Sequence, residues 1–261
     1  ILSISAPEYA AKMNVYLVPK GFSLGAYKML AGDGEMWRAY LNTILYTVPT
    51  TVLMLVTSVL IAYPLTYKHL AGRKFVNMFL LIPMYFSGGM IPAFLLITKL
   101  KLYGSPLSQV LPVCFSIWNI ILMKAFFSSI PEGLREAAKI DGAGQLRIFA
   151  QIILPISKPI IATIALFAAF GYWNDWFQAS LYISDKNLQT LQSMLNNIQN
   201  NIEYIANNPY GGLSLQQYKA SMPTESVRMA IAIIIVVPIA CVYPFFQKYF
   251  ISGLTIGSVK G

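Results

Sequence analysis

Residues 41–67 read LNTILYTVPTTVLMLVTSVLIAYPLTY, 27 positions without a charge. A bilayer core is crossed by about 20 mostly apolar residues in a helix, so this stretch alone is long enough to span one. Pro49 and Pro64 fall inside it, which a membrane helix tolerates where neighbours satisfy the freed backbone groups. Four further stretches read the same way. Residues 75–97 are uncharged, and residues 107–127 carry only Lys124. Residues 152–183 hold Lys158 near their start and Asp175 near their end, and residues 228–250 complete the set. The expectation is an all-α membrane protein, a single domain over residues 1–261 with five spans.

Composition agrees with that reading. Of 261 residues, 56% are hydrophobic and 11% charged, against roughly 25% charged in a soluble domain. The net charge is +9, but the basic residues are scattered between apolar runs. Nucleic-acid binding, which needs a basic stripe, is not expected. Cys114 and Cys241 both sit in apolar runs, where cysteine acts as a small buried hydrophobe. The single histidine, His69, is near neither, so no metal site and no disulfide framework are expected.

The connections set the orientation. Lys68, Arg73, Lys74, Arg135, Lys139, Arg147, Lys158, Lys248 and Lys260 share one side. They crowd into about 50 positions, and short basic loops prefer the cytoplasm. The other side has as many basic residues spread over almost twice the length. The loop at 128–151 and the chain's tail are therefore placed inside, and the start of the chain and the connection at 184–225 outside. The sequence opens Ile-Leu-Ser-Ile-Ser with no export signal. The expectation is that a sixth, N-terminal span is missing and that Ile1 to Ile4 is its end. In the 184–225 connection, Leu188, Leu191, Leu195, Ile198, Ile202 and Ile205 recur near helical spacing among Gln and Asn. That pattern predicts an amphipathic helix lying on the membrane surface or packing on another subunit.

The loop at 128–151 is the informative connection. From Ile130 it reads IPEGLREAAKIDGAGQLRIFAQIILPISKP. Pro131 suits the start of a helix, and Glu132 favours the helix dipole in the first turn. Leu134, Ala137, Ala138 and Asp141 fall on one face at helical spacing, and the two alanines keep it shallow enough for close approach by another protein. Gly142 lets the helix end in the left-handed conformation, and Pro155 and Pro159 mark the bend into the fourth span. By composition alone this is a solvated loop helix.

The segment resembles the EAA loop of binding-protein-dependent ABC importer permeases. Glu136-Ala137-Ala138, then Gly142, then Ile152-x-Leu154-Pro155 stand at that motif's spacing. Asp141-Gly142-Ala143 and Phe149 fit its sugar-importing form. Asn42-Thr43, Ala62-Tyr63-Pro64-Leu65, Phe86-Ser87-Gly88-Gly89-Met90-Ile91-Pro92, Trp173-Asn174-Asp175-Trp176 and the terminal Gly257 to Gly261 resemble the same branch, that of maltose-type (type I) importers of oligosaccharides and polysaccharide fragments. The resemblance implies a multi-pass permease subunit of the bacterial cytoplasmic membrane. It implies a second homologous permease, two ATPase subunits that bind ATP and Mg, and an extracytoplasmic solute-binding protein as partners. It also implies that Arg135, Glu136, Ala137, Ala138, Asp141, Gly142 and Ala143 face the ATPase. The chain has no phosphate-binding G-x-x-x-x-G-K-[ST] loop and no catalytic residues are expected in it.

Two places suggest a substrate path. Pro83, Gly88, Gly89 and Pro92 interrupt the second span, as transport paths often do, although a kinked packing helix reads the same. Asp175, the acidic residue within a span, sits among Trp173, Asn174 and Trp176. These are groups suited to sugar rings and hydroxyls, or to an interfacial aromatic belt. Asn119 and Trp118 in the third span are further candidates. Two other classes compete. A secondary transporter driven by an ion gradient would be expected to carry several intramembrane carboxylates or internal repeats. A membrane-embedded glycosyltransferase would need paired carboxylates or a metal cluster.

Overall fold

The computed structural model describes residues 1–11, 18–19, 21–207 and 225–258. The described residues are helical, without a strand beyond one isolated bridge between Ser5 and Phe22. The fold is the expected all-α type. The main helices are α1 (Gly34–Ala62), α2 (Arg73–Tyr85), α3 (Met90–Lys99), α4 (Leu107–Val113) and α5 (Ile117–Ser129). They continue with α6 (Glu132–Ile140), α7 (Gln145–Ile156), α8 (Lys158–Trp173), α9 (Phe177–Tyr182), α10 (Leu191–Asn207) and α11 (Glu225–Ser258). By length and composition, Gly34–Thr66 and Glu225–Phe245 can each cross a membrane as single helices. Three bent pairs bring the count to five: α2 with α3 at 115°, α4 with α5 at 45°, and α7 with α8 at 71°.

The first helix starts earlier than the apolar run predicts. Asp33 caps it, its Oδ1 accepting from the N–H groups of Glu35 at 2.9 Å and Met36 at 3.4 Å. The added turn is amphipathic, with Met36 and Ala39 buried, and a search for uninterrupted apolar residues misses it. The expected fourth span, 152–183, is not one helix. Its ends belong to α7 and α9, with a bend at Ser157 and a break after Trp173. Residues 259–261, which carry part of the terminal resemblance and Lys260, lie outside the described residues, as do residues 208–224.

The chain divides into two compact units. The first comprises residues 1–45 and 173–241. Its core joins Leu30, Met36, Leu191, Ala230, Ile231 and Ile235, with Met194, Leu195 and Ile198 packed on it. The expected helix is present as α10; its Leu191 is buried in this unit's own core, and Met194, Leu195 and Ile198 pack on that core partly buried. The side chains of Ile202 and Ile205 lie outside the described residues. The connection before α10 is fixed to α1. Asn42 Nδ2 donates to the carbonyls of Asn187 at 2.7 Å and Gln189 at 3.0 Å, and Arg38 donates to the Asn187 side chain. Thr43 Oγ1 accepts from Leu191 N–H at 2.9 Å while donating to Ala39 O at 2.8 Å.

The second unit comprises residues 46–172 and 242–261. Met54, Tyr63, Ile120, Met123, Phe127 and Ile153 lie in its core. Its bends obey the rule that backbone groups in an apolar medium must find partners inside the protein. Between α4 and α5, the Val113 carbonyl accepts from Tyr172 OH at 2.7 Å and the Cys114 carbonyl from Thr57 Oγ1 at 2.8 Å. Between α7 and α8, the fully buried Ser157 directs both its N–H, at 3.0 Å, and its hydroxyl, at 2.7 Å, to Ile153 O, so its own polar groups are satisfied at the bend. Lys124, the basic residue of the third span, donates to Asn77 Oδ1 on α2 at 2.6 Å. Replacing Thr57 by Val or Tyr172 by Phe leaves a bend carbonyl unbonded. Each change should cost about 1 kcal/mol, read as a lower melting temperature of the detergent-purified protein.

Candidate functional site

Helix α6 is nine residues long, too short to persist alone, so its ends and its inner face hold it. Pro131 precedes its first residue rather than lying within it, with extended ψ of 131°. Glu132 faces Lys68 across 3.5 Å with both side chains largely exposed, a pair that contributes little. The C-terminus is closed as the glycine suggested. Gly142 has φ +77°, its N–H donates to Lys139 O at 3.0 Å, and Ala143 N–H donates to Ala138 O at 2.9 Å. This paired closure of a helix end is a Schellman motif.

The loop residues named from the sequence divide into two sets. Glu136, Ala137, Asp141 and Gly142 are exposed. Ile140 and Leu146 beside them are 87% and 83% exposed, large apolar side chains presented outward. Ala138 is buried in the second unit's core, and Ala143 packs on that core. The shallow face expected from Leu134, Ala137, Ala138 and Asp141 is therefore not one outward surface, because Ala138 turns inward. Arg135 turns inward as well. Its Nη1 donates to Thr66 Oγ1 at 3.2 Å and its Nη2 to Phe127 O at 2.9 Å. The guanidinium lies 5.5 Å from the ring centres of both Tyr63 and Tyr67. Tyr67 OH donates to Gln145 Oε1 at 2.6 Å and lies 2.6 Å from Tyr63 OH. Sequence reasoning picked out Ala62 to Leu65 only as part of the resemblance. Nothing in the spacing of Tyr63, Tyr67 and Gln145 shows that they meet.

The path candidates are dispersed. Gly89 takes φ +85° at the 115° break between α2 and α3, a conformation that favours glycine, and Gly88 lies beside it with its backbone exposed. Asn119 Nδ2 reaches Met54 Sδ at 3.0 Å, and Trp118 is 61% exposed. In the first unit, Trp173 Nε1 donates to Ile235 O at 3.0 Å and its ring meets Tyr40 edge-on. Asn174 Oδ1 accepts from Gln192 Nε2 at 3.0 Å. Asp175 Oδ1 accepts from the N–H groups of Phe177 at 2.9 Å and Gln178 at 3.1 Å, so its carboxylate caps α9. Trp176 packs edge-on against Phe177. Asp175→Asn should keep the cap, whereas Asp175→Ala should cost about 1 kcal/mol in thermal unfolding of the purified protein. Among the described residues, no group of three His, Cys, Asp or Glu could hold a metal ion.

A helical protein with up to five candidate spans, three of them broken, and a capped loop helix that turns apolar residues outward is built as a membrane transport component. Comparison gives the family. The chain belongs to the binding-protein-dependent transport system inner membrane components, whose family model matches residues 36–256. It is thus a multi-pass inner-membrane permease subunit of an ABC transporter. It is 39% identical to Protein LplC of Bacillus subtilis over 99% of this chain and 86% of that protein. It is 36% identical to the polygalacturonan/rhamnogalacturonan transport system permease YtcP of Bacillus subtilis, over 99% of this chain and 89% of that one. Its structure is similar to a chain in the crystal structure of a bacterial ABC transporter involved in the import of the acidic polysaccharide alginate. The TM-score is 0.81 and the identity 32%, over 95% of this chain and 87% of the other.

Proposed function

We propose that this chain forms half of the translocation path of an ATP-driven importer for an oligosaccharide cut from a larger polysaccharide. A second homologous permease forms the other half, two ATPase subunits bind ATP and Mg, and an extracytoplasmic binding protein delivers the sugar. The chain itself performs no catalysis. The observation that carries this reading is the loop helix α6, capped at Gly142 and presenting Glu136, Ala137, Ile140 and Asp141 outward. An ATPase seated on the cytoplasmic face would meet these residues, while Arg135, Ala138 and Ala143 hold the helix from behind. The names of the relatives support the substrate class: one is a permease for polygalacturonan and rhamnogalacturonan, and the structural neighbour imports alginate.

The path is assigned to the interrupted second span at Gly88 and Gly89, with Asn119 as a further lining residue. Trp173, Asn174 and Asp175 are hydrogen-bonded to the chain's own backbone and side chains, and Trp176 packs on Phe177, which favours a supporting role for them.

The test is uptake into vesicles holding the complete complex and its binding protein, with radiolabelled trigalacturonate, trimannuronate and maltotriose as probes. ATP-dependent uptake of at least one trimer is expected. Uptake driven by an ion gradient without ATP would overturn the proposal. Gly142→Pro cannot adopt φ +77° and removes the N–H that bonds Lys139. It should lower ATP-driven uptake by roughly tenfold while the protein still reaches the membrane.

A further inference from the structure

We infer that Arg135 is a positioning residue that ties the loop helix to the ends of two spans, so that displacement of the loop moves both spans together. The inference rests on the importer reading above and deepens it.

Arg135 leaves α6 on the side away from Glu136 and Ala137. One arm of its guanidinium donates to the Phe127 carbonyl, in the last turn of α5. Carbonyls there have no partner within their own helix, and a positive charge at that end also suits the helix dipole. The other arm donates to Thr66 Oγ1, in the turn that ends the first span. The planar group lies against Tyr63 and Tyr67 at equal distance, a cation–π arrangement for which arginine is better suited than lysine. One side chain of the loop thus contacts the ends of both the first and the third span.

A second link runs beside it. Tyr67 OH has one hydrogen and donates it to Gln145. Tyr63 must then be the donor in the 2.6 Å contact between the two hydroxyls. Gln145 is the first residue of α7, directly after the Gly142 turn. The end of the first span is therefore gripped from both sides of that turn, by Arg135 before it and Gln145 after it. Tyr63 is buried and packs on Phe127 and Phe149, with ring centres 6.1 and 4.7 Å away. The grip thus reaches the unit's core rather than ending on a mobile surface side chain. Among the described residues, no carboxylate is a partner of Arg135. The bonds are to a carbonyl, a hydroxyl and two ring faces.

The readout that separates a transmitting residue from a merely stabilising one is uptake per ATP hydrolysed. Arg135→Ala, Arg135→Lys and Tyr67→Phe are compared with wild type in vesicles holding the complete complex, with the same three labelled trimers. Arg135→Ala should keep the ATPases bound in copurification and keep hydrolysis within about twofold, while uptake per ATP falls roughly tenfold. Arg135→Lys keeps the charge but not the two-armed geometry and should recover less than half of the loss. Tyr67→Phe deletes only the hydroxyl link to Gln145, leaves the ring, and should lower uptake per ATP by about twofold. If Arg135→Ala does not reach the membrane, the other two variants decide. Wild-type uptake per ATP in both overturns the inference. So does a parallel fall of hydrolysis and uptake with loss of the ATPases, which would make Arg135 a docking or folding residue. A wild-type complex that carries no trimer under ATP overturns the importer reading, and the inference with it.

Discussion

At the break between the two halves of the third span, the governing constraint is the cost of an unbonded carbonyl away from water. Three of the five candidate spans are broken, and at the break between α4 and α5 the exposed acceptors are met by side chains from other helices. Thr57 reaches across from α1 and Tyr172 from the end of α8. Where α7 turns into α8, a buried serine hydroxyl shares the Ile153 carbonyl with its own N–H and so is itself bonded. Such donors are short, uncharged and inexpensive to bury once bonded. They explain how an 11%-charged chain tolerates so much irregular backbone.

The two compact units use the same chemistry for different ends. In the first, Asn42, Thr43 and Arg38 fix the connection before α10 onto α1, and Trp173, Asn174 and Asp175 brace neighbouring backbone and side chains. This is a scaffold of amide and hydroxyl groups with little freedom. In the second, one arginine gathers the loop helix and two span ends. The outward side of that helix carries Glu136, Ala137, Ile140 and Asp141, a mixture of acidic, small and apolar residues. The inner face is thus fixed by hydrogen bonds and packing, and the outer face is exposed.

Much of this was legible in the residues. The apolar runs overlap the two long helices and the three bent pairs that make up to five candidate spans, because hydrophobic length is a property of local sequence. Gly142 announced its left-handed turn, since few other residues tolerate it, and the spacing from Glu136 to Pro155 marked the loop and the family. The amphipathic start of α1 was hidden, because Met36 and Ala39 are buried by contacts distant in sequence. The inward turn of Ala138 was hidden too: spacing assigns residues to a helix face but does not say which face meets the protein. Asp175 read as an intramembrane charge in search of a function, whereas its carboxylate caps the short helix that follows it. Tyr63 and Gln145 are 82 positions apart, and only the folded chain brings both to Tyr67.

The buried position of Ala138 has a consequence for how the loop can be handled as a part. A nine-residue helix whose inner face is completed by the chain's own core is not a module. Excised as a peptide it would lose the surface that shapes it, and grafted into another permease it would need the recipient's span ends to supply the same tyrosines and the same carbonyl. The element is discontinuous: its outward letters are written in the loop, but their placement is set by residues some 70 positions upstream, where Thr66 and Tyr67 meet Arg135.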